Sequence, residues 1–154
     1  MTAQRLEEYL RAHGVAYHTV AHPYAQTAQG TAASANISNK EMAKTVMVKL
    51  DGKLAMAVVP ASELVHLQRL REITGAREVA VASESEFRDR FPECEVGAMP
   101  PFGNLYGMDV FASDSLAVDE QIAFNAGSHH ELVCIGWNDF ERLVHPLVAD
   151  LTRH

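Results

Sequence analysis

The spacing of apolar and polar positions changes period several times along this chain, and each change marks an element. Residues 3–13 place Leu6, Tyr9, Leu10 and His13 at helical spacing, and Gly14 supplies the stop. Residues 15–20 alternate as a short strand that His22-Pro23 breaks. Residues 27–37 are alanine-rich with small polar residues, which predicts a helix packed closely against a neighbour. Residues 44–50 and 53–59 are β-prone runs flanking Asp51-Gly52, the signal of a tight hairpin.

Ser62 is positioned to cap a helix reaching Thr74, with Leu64, Leu67, Leu70 and Ile73 toward the core and Gly75 at its end. A strand is expected at 78–82. Ser83 with Glu86 then forms a capping box for a helix reaching Phe91. After a loop rich in glycine and proline, strands are expected at 106–112, 121–125 and 131–136. Asn138 with Glu141 caps a last helix to His145, and Pro146 punctuates it. Helices and strands interleave irregularly, with hairpin-like connections and no ordered βαβ series. The prediction is an α+β (mixed α/β) fold in one compact domain over residues 1–154. Its core would be a twisted, mixed, mostly antiparallel sheet of about six or seven strands with flanking helices.

Composition narrows the function more than the fold. A chain of 154 residues, 47% apolar and 21% charged, has enough material for a proper core. The formal charge of −7 argues against non-specific duplex DNA binding, which depends on neutralising phosphates, but leaves room for a small basic spot that reads one nucleic-acid end. Cys94 and Cys134 have neither metal-ligand spacing nor a disulfide framework, and read as reduced thiols of a cytoplasmic protein. No apolar window reaches the length of a membrane span. The 8 histidines are scattered, without an HExxH or CxxC pattern, so no metal or other cofactor is expected.

Three segments are candidates for chemistry. Lys44 stands at the mouth of a strand; such a lysine is ordinarily a solvated end residue, and its functional reading is a point cation for a phosphate. The run Gly97-Ala98-Met99-Pro100-Pro101-Phe102-Gly103 is too rich in glycine and proline for any helix or strand interior. It reads either as a stiff corner or as a wall of main-chain amides that holds a carbonyl oxygen, with Met99 and Phe102 lining a pocket or joining the core. The third is Asn125-Ala126-Gly127-Ser128-His129-His130, which offers an amide, a hydroxyl and imidazoles beside a glycine. Neighbours on a strand point to opposite faces, so at most one of the two histidines faces a given pocket. Ser128 with His130 is a weak sign of nucleophilic catalysis, since no G-x-S-x-G elbow is present.

In this order, Lys44-Thr45, the G-x-x-x-P loop with its Phe-Gly, and Asn125-Ala126-Gly127 resemble the YbaK/prolyl-tRNA-synthetase-associated domain family of trans-editing aminoacyl-tRNA deacylases. The resemblance runs from the first helix to about Leu143. It implies hydrolysis of the ester between a wrong amino acid and the 3′-terminal adenosine of tRNA. The partners it implies are the acceptor end of an aminoacyl-tRNA and an aminoacyl-tRNA synthetase. Lys44 would hold the terminal phosphate, while the loop from Gly97 to Pro101 places and polarises the ester carbonyl. The water would be activated largely by the substrate's own ribose hydroxyl, without metal, cofactor or covalent nucleophile, so catalysis is mainly positioning. Thr45, Ala98, Met99, Pro100, Phe102, Gly103, Asn125, Gly127, Ser128 and His130 would contact the substrate.

Two departures from the family bear on specificity. The late loop reads Gly127-Ser128-His129-His130, where the cysteinyl-tRNA-deacylase branch typically has Gly-Lys-Arg-Gly. Thr45 replaces the asparagine typical of the alanine-specific branch. A pocket of Ala98, Met99 and Phe102, with Val46 as a further candidate, suits a small side chain, and one methylene there discriminates by only about 1–3 kcal/mol. Two other readings stand beside this one: a non-catalytic module that binds an aminoacyl end or a synthetase, and a small-molecule ester or amide hydrolase using Ser128 and His130.

Overall fold

The structure is a computed structural model that describes residues 4–22, 30, 41–95, 98–118 and 120–152. The helix expected over 27–37 lies outside the described residues, apart from Gly30. Helix α1 (Gln4–Ala12) buries Leu6 and Leu10, and Gly14 leaves it at a φ of +65°. Strand β1 is His18–Ala21, shorter than expected because Val15 turns inward and donates its N–H to the Leu10 carbonyl. Strands β2 (Ala43–Leu50) and β3 (Lys53–Pro60) form the predicted hairpin. Asp51 at φ +52° and Gly52 at φ +85° supply the two left-handed positions that this tight turn needs.

Helix α2 is Leu67–Thr74, and Gly75 closes it in the left-handed region as expected. Its start corrects the sequence reading: His66, not Ser62, is the N-cap, and Leu64 is 64% exposed. The cause is tertiary. Val65 forms an antiparallel bridge with Thr152, and the His66 N–H donates to the Leu151 carbonyl, so extended pairing holds 62–66 out of the helix. Strand β4 is Val79–Val81. Helix α3 (Glu84–Phe87) carries the predicted Ser83–Glu86 capping box and runs on as one 3₁₀ turn, Arg88–Arg90.

Strand β5 (Asp109–Ser113) begins later than expected, because Gly107 turns the chain at φ +68°. Strands β6 (Gln121–Asn125) and β7 (Glu131–Gly136) fall where they are expected from the sequence. Helix α4 is Trp137–Val144, capped by Gly136 rather than by Asn138, which lies inside it. A last strand, β8 (Leu147–Ala149), has no counterpart in the sequence reading.

The α+β class and the mixed, mostly antiparallel pairing hold, but the strands divide differently from the single sheet expected. Among the described residues, eight strands form two sheets, β1-β7-β6 and β4-β2-β3-β5-β8. Pairings β3–β5 and β5–β8 are parallel and the other four are antiparallel. The main core lies between the sheets, where Met47, Met56, Val58, Val110 and Ala112 meet Ile122, Phe124, Val133 and Ile135. On the far face of the larger sheet, Val48, Ala55, Ala57 and Val59 pack under Leu70 of α2. Covering both faces explains why β3 is a near-continuous apolar run rather than an alternating one. Among the described residues no helix is long and apolar enough to cross a membrane.

Candidate functional site

The site begins where the two sheets touch. Met42, just before β2, forms a parallel bridge with Ala123 of β6, and the Ala123 N–H donates to the Glu41 carbonyl. Two residues beyond the bridge on each strand stand Lys44 and Asn125, at the same end because the bridge is parallel. Side chains alternate along a strand, so Lys44 keeps the side of Met42, and Asn125 that of Ala123. Met42 and Ala123 share a small cluster with Ala61, Leu132 and Cys134, outside the main core. Thr45 stands on the opposite side of β2, with Ala43 and Met47.

Lys44 is half-buried, and its Nζ donates to the Ala61 carbonyl at 3.4 Å. Burial pushes its pKa below the ordinary lysine value, while the charge of Glu63 opposes that fall. Asn125 ends β6 with its Oδ1 buried and without a hydrogen-bond partner among the described residues. A buried acceptor that stays without a partner costs about 1–3 kcal/mol.

The glycine-proline loop and the late glycine loop are joined by hydrogen bonds. The Glu95 N–H donates to the Gly127 carbonyl at 2.7 Å, and the Gly127 N–H donates to the Ala98 carbonyl at 2.8 Å. Glu95 Oε1 also accepts the His129 N–H at 2.8 Å. Gly127 makes its contacts at a φ of +101°, a conformation side-chain-bearing residues rarely adopt. Gly97 lies outside the described residues. Of the amides that follow it, the Ala98 N–H is taken by the Glu95 carbonyl, and Pro100 and Pro101 have none. Met99 therefore carries the remaining N–H in the described part of the Gly97-to-Pro101 run.

Ala98, Met99, Pro100 and Pro101 are all buried. Phe102 is fully buried in the main core, its ring 5.6 Å from those of both Phe124 and Phe140. Gly103 packs so closely that a Cβ there would stand 2.6 Å from the Met108 carbonyl oxygen. These two residues thus anchor the loop from beneath. Ser128 and His129 are buried and His130 is exposed, and both histidines lie in the turn before β7 rather than on a strand. Ser128 Oγ accepts the His130 backbone N–H at 3.2 Å, which is a turn contact.

Both cysteines are free. Burial raises the Cys94 pKa to about 11, against a lowering contact from the Tyr106 hydroxyl, and burial raises that of Cys134. Neither has the lowered pKa of a nucleophilic thiol. Among the described residues no group of three or more His, Cys, Asp and Glu is arranged to hold a metal ion. Open grooves lie at the hairpin end (Lys49, Lys53, Arg90) and along the β5–β8 edge (Phe111, Leu147), and none of the candidate site residues lines them. Sequence reasoning gave no role to Glu95, Ala61 or Glu63. No spacing rule marks them, because each acts across the fold.

The family model for the aminoacyl-tRNA editing domain matches residues 22–143, a span that includes Lys44 and both loops. The chain belongs to the aminoacyl-tRNA editing domain family. Among relatives of this editing domain, the multifunctional Ser/Thr-tRNA deacylase ProXp-y of Escherichia coli (strain K12) is 25% identical over 159 residues, covering 99% of this chain and 94% of the relative. The proline–tRNA ligase of Bacillus mycoides (strain KBAB4) is 28% identical over 102 residues. There the match covers 66% of this chain and 18% of the relative, so the editing domain corresponds to under a fifth of that ligase. A crystal structure described as a candidate trans-editing enzyme for prolyl tRNA synthetase superposes with a TM-score of 0.85 at 18% identity, covering 98% of this chain and 96% of that one. At that identity the likeness concerns the fold.

Proposed function

We propose that this protein hydrolyses the ester bond of mischarged aminoacyl-tRNA carrying a small amino acid. The observation that carries the reading is the joining of the Ala98 and Gly127 loops at the strand end shared by Lys44 and Asn125, inside the span matched by the editing-domain family. The near-full-length likeness to a Ser/Thr-tRNA deacylase supports the reaction type and puts serine and threonine among the amino acids to try first.

In this reading Lys44 is the cation for the phosphate of the terminal nucleotide. Gly97 and the Met99 amide receive the ester carbonyl as negative charge grows on its oxygen, and Pro100 and Pro101 stiffen that wall. Asn125 Oδ1 accepts a hydrogen bond from a substrate hydroxyl or ammonium. Gly127, Ser128 and His130 close the pocket, with Ala98 and Met99 against the amino-acid side chain, and Thr45, Phe102 and Gly103 fix the strand and loop that carry it. The ribose hydroxyl next to the ester orients and activates the water, and the ester C–O bond breaks to release the free amino acid and intact tRNA. Much of the acceleration then comes from positioning, which supplies up to about 7–11 kcal/mol in well-oriented systems.

The likeness to proline–tRNA ligases supports a prolyl-tRNA synthetase as the partner class, and the proposed substrate is charged tRNA in the cytoplasm. The test is incubation with tRNAs each charged with one small amino acid. Ester loss well above the buffer rate on at least one of them supports the reading. Saturable binding without turnover on all of them would favour a binding module instead.

A further inference from the structure

The support behind Lys44 is built from parts of the chain far apart in sequence. The Ala61 carbonyl that accepts from Lys44 Nζ belongs to the turn after β3, which the Glu63 N–H closes on the Pro60 carbonyl at 3.0 Å. The Ala61 N–H returns to the Met42 carbonyl at 2.8 Å, tying that turn to the start of β2. Glu63, in the same turn, accepts the Thr152 hydroxyl at 2.5 Å. Thr152 is 2% exposed, and its segment is fixed by the bridge to Val65 and by the His66 N–H on the Leu151 carbonyl. This is the pairing that displaced the start of α2. The turn that supplies the Lys44 acceptor, Ala61, therefore also carries the Glu63 carboxylate two residues on, and Thr152 fixes it.

We propose that Glu63 is a positioning residue for Lys44, held in place by Thr152, and that it keeps the half-buried ammonium charged and aimed as a phosphate anchor. The proposal rests on the reading of Lys44 given above. Glu63 is the carboxylate whose charge opposes the burial of Lys44; the facing residue on β3 is Val59, and Asn125 on the β6 side is neutral. Burial favours the neutral amine and the carboxylate favours the ammonium. Without Glu63, burial acts unopposed and the lysine loses its proton at lower pH.

Two variants separate charge from scaffold. Glu63→Gln removes the charge and leaves an oxygen for the Thr152 hydroxyl. Thr152→Val removes the hydroxyl and leaves the charge. In the ligand-free protein, the Lys44 ¹³Cε resonance, assigned by its loss in Lys44→Arg, is titrated by NMR. Its midpoint is expected to fall in Glu63→Gln, and by less in Thr152→Val. In parallel, the alkaline limb of kcat/KM should move to lower pH in Glu63→Gln. Adding Lys44→Arg should restore that limb, since guanidinium stays charged throughout. An unchanged Lys44 midpoint in a folded Glu63→Gln protein overturns the proposal. If the wild type hydrolyses no charged tRNA, the deacylase reading fails by itself, and the NMR titration still decides what Glu63 does to Lys44.

Discussion

The Gly127 N–H donates to the Ala98 carbonyl at 2.8 Å, across a gap of 29 residues in the chain. That bond, with the return bond from Glu95 to the Gly127 carbonyl, makes one unit of two loops that the sequence presents separately. Gly127 holds it at φ +101°, where a Cβ is strained whatever space surrounds it. Gly127→Ala is expected to cost about 1–3 kcal/mol in urea unfolding. Deacylation should fall further than stability accounts for, because the wall of the pocket moves. An unchanged unfolding midpoint would show that the loop junction does not need glycine.

Lys44→Ala should remove most activity while leaving the circular dichroism spectrum and cooperative unfolding intact, since the side chain is only half-buried. If its partner is a phosphate, the variant also loses one counterion-linked contact. The slope of log KM against log salt should then drop by about 1 relative to the wild type. An equal slope in both proteins would remove Lys44 from phosphate contact.

Asn125 offers the opposite combination. Its buried, unpartnered Oδ1 costs about 1–3 kcal/mol in the free protein, so Asn125→Leu should be neutral or stabilising in denaturant unfolding. The same change should reduce turnover, because the substrate loses an acceptor. A variant that is destabilised and fully active would mean that Asn125 serves the fold.

Acid stability depends on the Ser83–Glu86 cap. Glu86 Oε2 pairs with Lys49 Nζ at 2.5 Å, and Oε1 accepts from the Ser83 N–H and hydroxyl, which together lower its pKa to about 2 from an ordinary 4.5. The folded form thus holds the carboxylate more tightly than the unfolded chain does. Its contribution is complete above about pH 4.5 and disappears as pH falls toward 2. Glu86→Gln should therefore lower stability at neutral pH and flatten the pH dependence across that window. Unfolding curves of wild type and variant at pH 7 and pH 2.5 check this: the gap between them should narrow at the lower pH.

Local chemistry made much of this fold legible. Asp51-Gly52, Gly75 and the Ser83–Glu86 pair each act within a few residues, and each stands where the sequence puts it. The errors have a common cause. The start of α2 and the existence of β8 depend on pairing with remote segments, Thr152 with Val65 and Leu147 with Phe111, which no local pattern reports. The division into two sheets is of the same kind, since it depends on which strands meet across the core. For the candidate site, glycine and proline punctuation marks both loops in the sequence, and Gly127 stands at a φ of +101° that side-chain-bearing residues rarely adopt. The hydrogen bonds that join them come from Glu95 and from main-chain atoms, and leave no mark on residue type. Phe102 shows the limit of composition: an aromatic beside a Pro-Pro pair suits a pocket or a core equally, and its ring lies in the core.

The central claim is ester hydrolysis at a site containing Lys44, and single-turnover deacylation tests it most directly. Wild type and Lys44→Ala are each mixed in excess with tRNAs charged with alanine, serine, threonine or cysteine, and the surviving ester is followed in time. The account predicts fast loss of at least one ester with the wild type and a rate at least tenfold lower with the variant. Loss at the buffer rate for every charged tRNA with the wild type, or equal rates for the two proteins, would contradict it.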